Sequence, residues 1–109
     1  KITLIFQPHL FSRTRDFMED FANELSRVDE LLLLPIYPAR EEPIEGITSE
    51  ALLSKIKCLK KGVFDFDKVL SELKNNEEGT IILTVGAGSV DKLRNPIKAM
   101  LESNIKEEF

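Results

Sequence analysis

The sequence predicts an α/β fold, in which a mainly parallel sheet of about four to six strands carries helices on both faces. Two observations support this prediction. Short apolar runs alternate along the chain with segments whose apolar residues recur at helical spacing. The runs also lack the alternation of apolar and polar residues that a sheet with one solvated face would show. They are typical of parallel strands that are buried on both faces and joined by right-handed crossovers.

The first half of the chain contains two strand-helix units. Residues 2–6 form a short apolar run that predicts the first strand, and residues 31–36 predict the second. Between them, apolar residues at helical spacing predict a helix, namely Phe17, Met18, Phe21 and Leu25. A proline-containing turn follows the second strand, and residues 49–56 then predict another helix with an apolar face formed by Leu52, Leu53 and Ile56.

The second half contains two further units. Residues 63–66 predict a short third strand, followed by a helix with Val69, Leu70 and Leu73 that ends at the breakers Asn75, Asn76 and Gly79. Residues 80–85 form the clearest strand, and residues 86–88 predict a tight turn. Residues 90–101 predict a closing helix that Pro96 kinks.

Length and composition restrict the possible functions. The 109 residues hold one domain, residues 1–109, with one core. The net charge of −4 and the pI near 5.1 give no basic field for nucleic acid. The longest apolar stretch has seven residues, too few for a membrane span. With no secretory signal and one cysteine, Cys58, which we expect to be a buried inert thiol, the sequence favours a cytoplasmic location.

Ligands of open α/β sheets bind at the carboxyl ends of the strands, so the residues after each strand are the candidates for function. After the first strand come His9, the only histidine, and then Arg13 and Arg15. Both arginines are predicted to fall near the first turn of a helix, where the helix dipole disfavours cations. A bound carboxylate or phosphate would offset that cost. The alternative is solvated arginines paired with Asp16 or Glu19.

Two other strand ends carry candidates. The second strand leads into a long polar loop with Tyr37, Arg40 and Glu41, which is either functional or a solvated loop in which Arg40 pairs with a neighbouring glutamate. The fourth strand leads into a glycine-rich turn that starts at Gly86. The sequence contains no Gly-x-x-x-x-Gly-Lys-Ser/Thr stretch to hold a nucleoside triphosphate and no spacing of metal ligands.

Three blocks of residues stand at these strand ends. They are Gln7-Pro8-His9 with Ser12-Arg13-Thr14-Arg15, Tyr37-Pro38-Ala39-Arg40-Glu41 with Pro43-Ile44 and Gly46, and Gly86-Ala87-Gly88-Ser89. In order and spacing they resemble the carboxy-terminal domain of the Mur ligases, and among these the UDP-N-acetylmuramate:L-alanine ligases. The resemblance covers nearly the whole chain. The first block is the most specific, because other Mur ligases differ there.

The resemblance implies a Rossmann-like third domain of a cytoplasmic, ATP-dependent enzyme of peptidoglycan precursor synthesis. The implied partners are UDP-N-acetylmuramate, L-alanine, ATP with Mg²⁺, and two further domains that bind the UDP-sugar and hold the P-loop. In the reaction of that family ATP phosphorylates the muramoyl carboxylate, the amine of L-alanine attacks the acyl phosphate, and phosphate leaves as the amide forms. The third domain closes over the site, contacts the amino acid and the nucleotide, and is expected to be inactive alone.

The resemblance also assigns roles to individual residues. His9 and Arg13 match positions that contact the amino-acid end of the substrate, and we expect them to be catalytic. Arg15, Tyr37, Arg40, Glu41 and Gly86 are the further predicted substrate-binding residues. Some family members carry arginine directly after the histidine of the first block, where this chain has Leu10, so Arg13 acts alone or with Arg15 on the carboxylate.

Two other functions are compatible with the same residues. The domain could be a free-standing, non-catalytic module that binds a small anion through His9, Arg13 and the Gly86 turn. It could also belong to the related ligase that reattaches recycled murein peptides, although the Gln7-Pro8-His9 block argues against that. The two ligases differ in whether the nucleophile is L-alanine or a peptide.

Overall fold

The fold is a four-stranded parallel sheet with helices on both faces. The computed structural model describes residues 1–74, 79–86, 92–93 and 95–99. Within these residues the strands stand in the order β3-β2-β1-β4 and all neighbours are parallel. The strands are β1 (Ile2–Gln7), β2 (Glu30–Leu33), β3 (Lys60–Val63) and β4 (Ile81–Gly86). The predicted α/β class is therefore confirmed.

Four helices connect the strands, and a short helical segment follows the last one. The helices are α1 (Phe11–Asp16), α2 (Met18–Leu25), α3 (Ser49–Leu53) and α4 (Phe66–Leu73), and residues 95–99 are also helical. Two begin with side-chain caps: Thr48 accepts a hydrogen bond from the Ala51 amide at 3.0 Å, and Asp65 accepts one from the Lys68 amide at 2.9 Å. Such caps satisfy amides that lack a partner within the helix.

Each face of the central strands supports its own hydrophobic core. On one face β1 and β2 pack against α2 and α3, through Leu4, Phe6, Leu31, Leu33, Ala22, Leu25, Leu52 and Ile56. On the other they pack against α4 and the last described segment, through Ile5, Leu32, Leu34, Val69, Leu73, Leu93 and Ile97. Full burial of one such side chain contributes about 1.5–3 kcal/mol. Burial on both faces explains why β1 and β2 read as continuous apolar runs.

Four predicted elements have other boundaries in the structure. The second strand is Glu30–Leu33 rather than residues 31–36. The third strand is Lys60–Val63 rather than residues 63–66, because Asp65 caps α4 and Phe66 already belongs to that helix. The first helix is divided at Phe17, whose side chain is 51% exposed. The helix predicted for residues 49–56 ends at Leu53, although Ile56 is buried as expected.

Some predictions fall partly on residues that the structure does not describe. Residues 87–88 of the predicted turn lie outside the described ranges, as do residues 90–91, 94 and 100–101 of the predicted closing helix. Pro96 lies in the described helical segment 95–99.

A buried carboxylate links the amino ends of three strands. Glu30 is 1% exposed. One of its oxygens accepts a hydrogen bond from the Thr3 hydroxyl at 3.0 Å, and the other lies 3.0 Å from the Lys60 ammonium. Lys60 also lies 3.4 Å from Glu72 on α4. The hydrogen bond to Glu30 and the attraction of both carboxylates raise the pKa of Lys60.

Removal of Lys60 should therefore leave a buried, unpaired charge. We expect Lys60→Ala to lower the free energy of unfolding, since an uncompensated buried carboxylate is strongly destabilising. A second change, Glu30→Gln, should restore roughly half or more of the loss, because the neutral amide still accepts from Thr3. Urea unfolding of the 109-residue chain measures both variants. A double variant no more stable than Lys60→Ala would show that the buried charge is not the cause.

Candidate functional site

The candidate site lies at the carboxyl edge of the sheet. In the parallel register Phe6 of β1 is opposite Leu33 of β2, and Gln7 is opposite Gly86 of β4. The segments that follow these three strands therefore leave the sheet at one edge. All the residues predicted from the sequence for the site follow β1 or β2 or, like Gly86, end β4.

His9 and Tyr37 form the centre of this edge. They continue the sheet as a parallel bridge, with hydrogen bonds from the Tyr37 amide to the Pro8 carbonyl and from the Leu10 amide to the Tyr37 carbonyl, each 2.8 Å. Their rings stack with centroids 5.7 Å apart and planes inclined by 14°. Both side chains are half-buried. No described residue hydrogen-bonds to the imidazole, so the stack fixes the plane of His9 and leaves its nitrogens available.

Leu10, directly after His9, has a strained backbone. Its φ of 68° lies in the region that favours glycine. Such a conformation costs about 1–3 kcal/mol and persists only where the surroundings hold it. The amide of Leu10 is held by Tyr37, and its carbonyl accepts from the Thr14 amide at 3.1 Å and the Thr14 hydroxyl at 2.8 Å. The turn from β1 into α1 is therefore defined by contacts on both sides.

Glu41 connects the loop after β2 to the beginning of α1. The Ser12 amide donates to one carboxylate oxygen at 3.1 Å, and the Ser12 hydroxyl donates a short hydrogen bond to the other. These bonds, together with a bond from the Phe11 amide and the charge of Arg15, hold the pKa of Glu41 below its usual value. The carboxylate thus occupies the amino end of α1, where negative charge is favourable.

The two arginines lie in α1, as predicted. Arg13 is the third residue of this six-residue helix and belongs to its first turn as well as its last, whereas Arg15 belongs to the last turn. In so short a helix the dipole does not decide between a bound anion and solvated arginines. Arg15 pairs with Asp16 at 2.9 Å, and this contact raises the pKa of Arg15. Glu19 pairs with Lys55 at 2.8 Å instead.

Among the residues that the structure describes, Arg13 and Arg40 are the arginines at this edge that have no partner. Arg13 is exposed, and within the described part of the chain its guanidinium makes no hydrogen bond or ion pair. Arg40 is exposed too and, among the same residues, is not paired with Glu41 or Glu42, so the pair considered from the sequence is not formed. Both are free to bind an anion.

Gly86 closes β4 in a conformation that favours glycine, with a φ of 145°. It stands opposite Gln7, which is 4% exposed and donates from its side-chain amide to the Pro35 carbonyl at 3.2 Å. Residues 87–89 of the glycine-rich block lie outside the described ranges.

The sequence interpretation gave no role to Ser12, Gln7 or Ser49, which position the site. Ser49 is buried and donates to the Leu34 carbonyl at 2.6 Å, so it holds the start of α3 against the end of β2. A cleft of about 190 Å³ opens beside it at the same edge, lined by Phe11, Pro35, Ile36, Thr48, Ser49 and Glu50. The sequence does show that residues 12 and 49 are polar. Their hydrogen-bond partners lie 29 and 15 residues away along the chain, so the local pattern could not identify these contacts.

Neither a metal site nor a membrane span is found among the described residues. No group of three or more histidine, cysteine, aspartate or glutamate side chains there could hold an ion. Glu41 at this edge is already engaged by Ser12. These residues do not fit a magnesium site. No helix in the described ranges is long and apolar enough to cross a bilayer.

The thiol of Cys58 is half-buried rather than fully buried, with its sulfur 3.3 Å from the carbonyls of Val28, Asp29 and Lys60.

Comparison with known proteins identifies relatives over most of the chain. No model of a known protein family matches. The UDP-N-acetylmuramate–L-alanine ligase of Cytophaga hutchinsonii is 51% identical over 102 residues, which are 94% of this chain and 22% of that protein. The enzymes of the same name from Flavobacterium johnsoniae and Parabacteroides distasonis are 48% and 45% identical, over 96% and 98% of this chain and 23% of each relative.

The chain spans about a fifth of the length of the curated relatives it matches. The matched regions include the three blocks from which the resemblance was drawn, since they cover 96% and 98% of the chain. The resemblance is thereby confirmed: over nearly its whole length the chain is similar to part of the UDP-N-acetylmuramate–L-alanine ligases of these organisms.

Proposed function

We propose that residues 1–109 are the carboxy-terminal domain of an ATP-dependent ligase that joins L-alanine to UDP-N-acetylmuramate in peptidoglycan precursor synthesis. The observation that carries the proposal is the edge formed by the stacked His9 and the unpaired, exposed Arg13. The names of the relatives support the choice of substrates. Use of ATP and the single free cysteine support a cytoplasmic location.

The proposed chemistry is formation of an amide through an acyl phosphate. ATP transfers its terminal phosphoryl group to the muramoyl carboxylate, the amine of L-alanine attacks the acyl carbon, and phosphate leaves while the nitrogen loses a proton. Arg13 holds the carboxylate of L-alanine through two hydrogen bonds. His9 orients the amine or donates to the oxyanion that develops on the acyl carbon. Tyr37 keeps the imidazole plane fixed for either task.

ATP and Mg²⁺ belong mainly to parts of the enzyme beyond these residues. The sequence has no P-loop, and the carboxylate at the edge is already engaged by Ser12. In the proposed enzyme this domain closes over a site formed with two other domains. Arg15, Arg40 and Gly86 contact the substrates at the closed edge, and the isolated domain is inactive because it lacks the nucleotide site.

Phosphate release by the full-length parent protein tests the proposal. We expect release from ATP only when both UDP-N-acetylmuramate and L-alanine are present, with one UDP-N-acetylmuramoyl-L-alanine formed per phosphate. A murein tripeptide in place of L-alanine should support much slower release. No release with both substrates would contradict the ligase function and favour the anion-binding module. Faster release with the tripeptide would favour the ligase of murein recycling.

A further inference from the structure

The amino end of α1 has an unusual source of capping. Its N-cap residue, Leu10, has no side-chain acceptor, so the first amides of the helix need another partner. Glu41 provides it from the loop after β2, by accepting from the amide and hydroxyl of Ser12 and from the Phe11 amide. The cap therefore comes from a residue 29 positions further along the chain than Ser12.

This contact matters because α1 cannot hold its own position. A helix of six residues is far too short to be stable by itself. Phe17 separates α1 from α2, and of the six residues of α1 only Thr14 is buried. The position of the helix therefore depends on the bonds of Leu10 to Tyr37 and Thr14 and on the bonds of Glu41 to Ser12.

We infer that Glu41 is a positioning residue, which holds α1 by its amino end and thereby sets where Arg13 presents its guanidinium to the amino-acid substrate. The inference rests on the proposed function and changes the role expected for Glu41 from the resemblance. Its carboxylate has no proton to donate when ionised, so it would repel the carboxylate of an amino acid rather than bind it. Both of its oxygens are engaged within the protein.

A double-mutant cycle between Glu41 and Arg13 in the full-length enzyme tests this inference. We expect Glu41→Ala to raise the KM for L-alanine about 10-fold to 100-fold, because a displacement of about 1 Å can have that effect. Ser12→Ala should raise it less, because the Ser12 amide still donates to Glu41. Glu42→Ala, at an exposed neighbour, is the matched control and should leave the KM unchanged.

The decisive measurement is the effect of Glu41→Ala on the KM for L-alanine in the Arg13→Ala background. If Glu41 acts through Arg13, the second change should raise the KM by less than about 3-fold there, since residues that act as one unit are not additive. The positioning role would be overturned if the effects of Glu41→Ala and Arg13→Ala on the KM were fully additive. It would also be overturned if neither Glu41→Ala nor Glu41→Gln changed the KM in the wild-type background. Both outcomes would leave the ligase function intact. If Arg13→Ala itself leaves the KM unchanged, the proposed contact and the inference both fail.

Discussion

Replacement of His9 by alanine is expected to lower the kcat of the proposed full-length ligase by about 100-fold or more. A pre-organised donor to a developing oxyanion contributes about 3–4 kcal/mol to stabilisation of the transition state. The stack on Tyr37 and the bridge between the two backbones give His9 that pre-organisation. Because this interaction strengthens only as the oxyanion forms, the KM for L-alanine should change little.

The neighbouring Tyr37 provides the control for His9. Tyr37→Phe keeps the stacked ring and the backbone bridge, so its kcat should stay within about 3-fold of wild type. Tyr37→Ala removes the ring on which His9 packs and should lower kcat to an intermediate value. A His9→Ala enzyme that retains its kcat but has a much higher KM for L-alanine would mean that His9 binds the substrate rather than stabilising the transition state.

Replacement of Arg13 by alanine is expected to remove the preference for a free carboxylate on the amino acid. The wild-type enzyme should use L-alanine far better than L-alaninamide, because a guanidinium pairs with a carboxylate in two charge-assisted hydrogen bonds. Such bonds contribute about 1.5–3 kcal/mol each, so the loss of both should lower kcat/KM for L-alanine by about 100-fold or more in Arg13→Ala. The value for L-alaninamide should change by less than about 3-fold.

Arg15 offers a matched comparison on the same helix. Its guanidinium already pairs with Asp16, so Arg15→Ala should reduce the preference for L-alanine much less than Arg13→Ala. An equal loss in the two variants would point to the net charge of α1 rather than to a specific clamp. An unchanged preference in Arg13→Ala would exclude Arg13 from the carboxylate contact.

The strands and the cores of the fold were largely predictable from the sequence. Residues 31–36 read as a strand because both faces of β2 are buried, although β2 ends at Leu33. Val69 and Leu73 read as a helix because one face of α4 is buried. Lys60 and Lys61 did not read as a strand, because β3 lies at the edge of the described sheet and is held by Glu30, a long-range partner. Local periodicity carries no information about such a contact.

The candidate site was predictable in its location but not in its internal contacts. His9, Tyr37 and Gly86 come to one edge because parallel strands end together, which follows from the fold class alone. The capping of α1 by Glu41 could not be predicted, because it depends on the folded path of the loop after β2. The length of α1 could not be predicted either, since the division of the helix at Phe17 leaves α1 with only six residues.

The most direct test that the carboxyl edge binds the amino-acid substrate compares two arginines at opposite edges of the sheet. Arg13 follows β1 at that edge, whereas Arg27, which is exposed and pairs with Glu24 at 3.3 Å, precedes β2 at the amino edge. The measurement is kcat/KM for L-alanine in the full-length enzyme, with thermal unfolding to confirm that each variant is folded. We predict a loss of about 10-fold or more for Arg13→Ala and less than about 2-fold for Arg27→Ala. Equal values for the two folded variants would contradict the assignment of the site to the carboxyl edge.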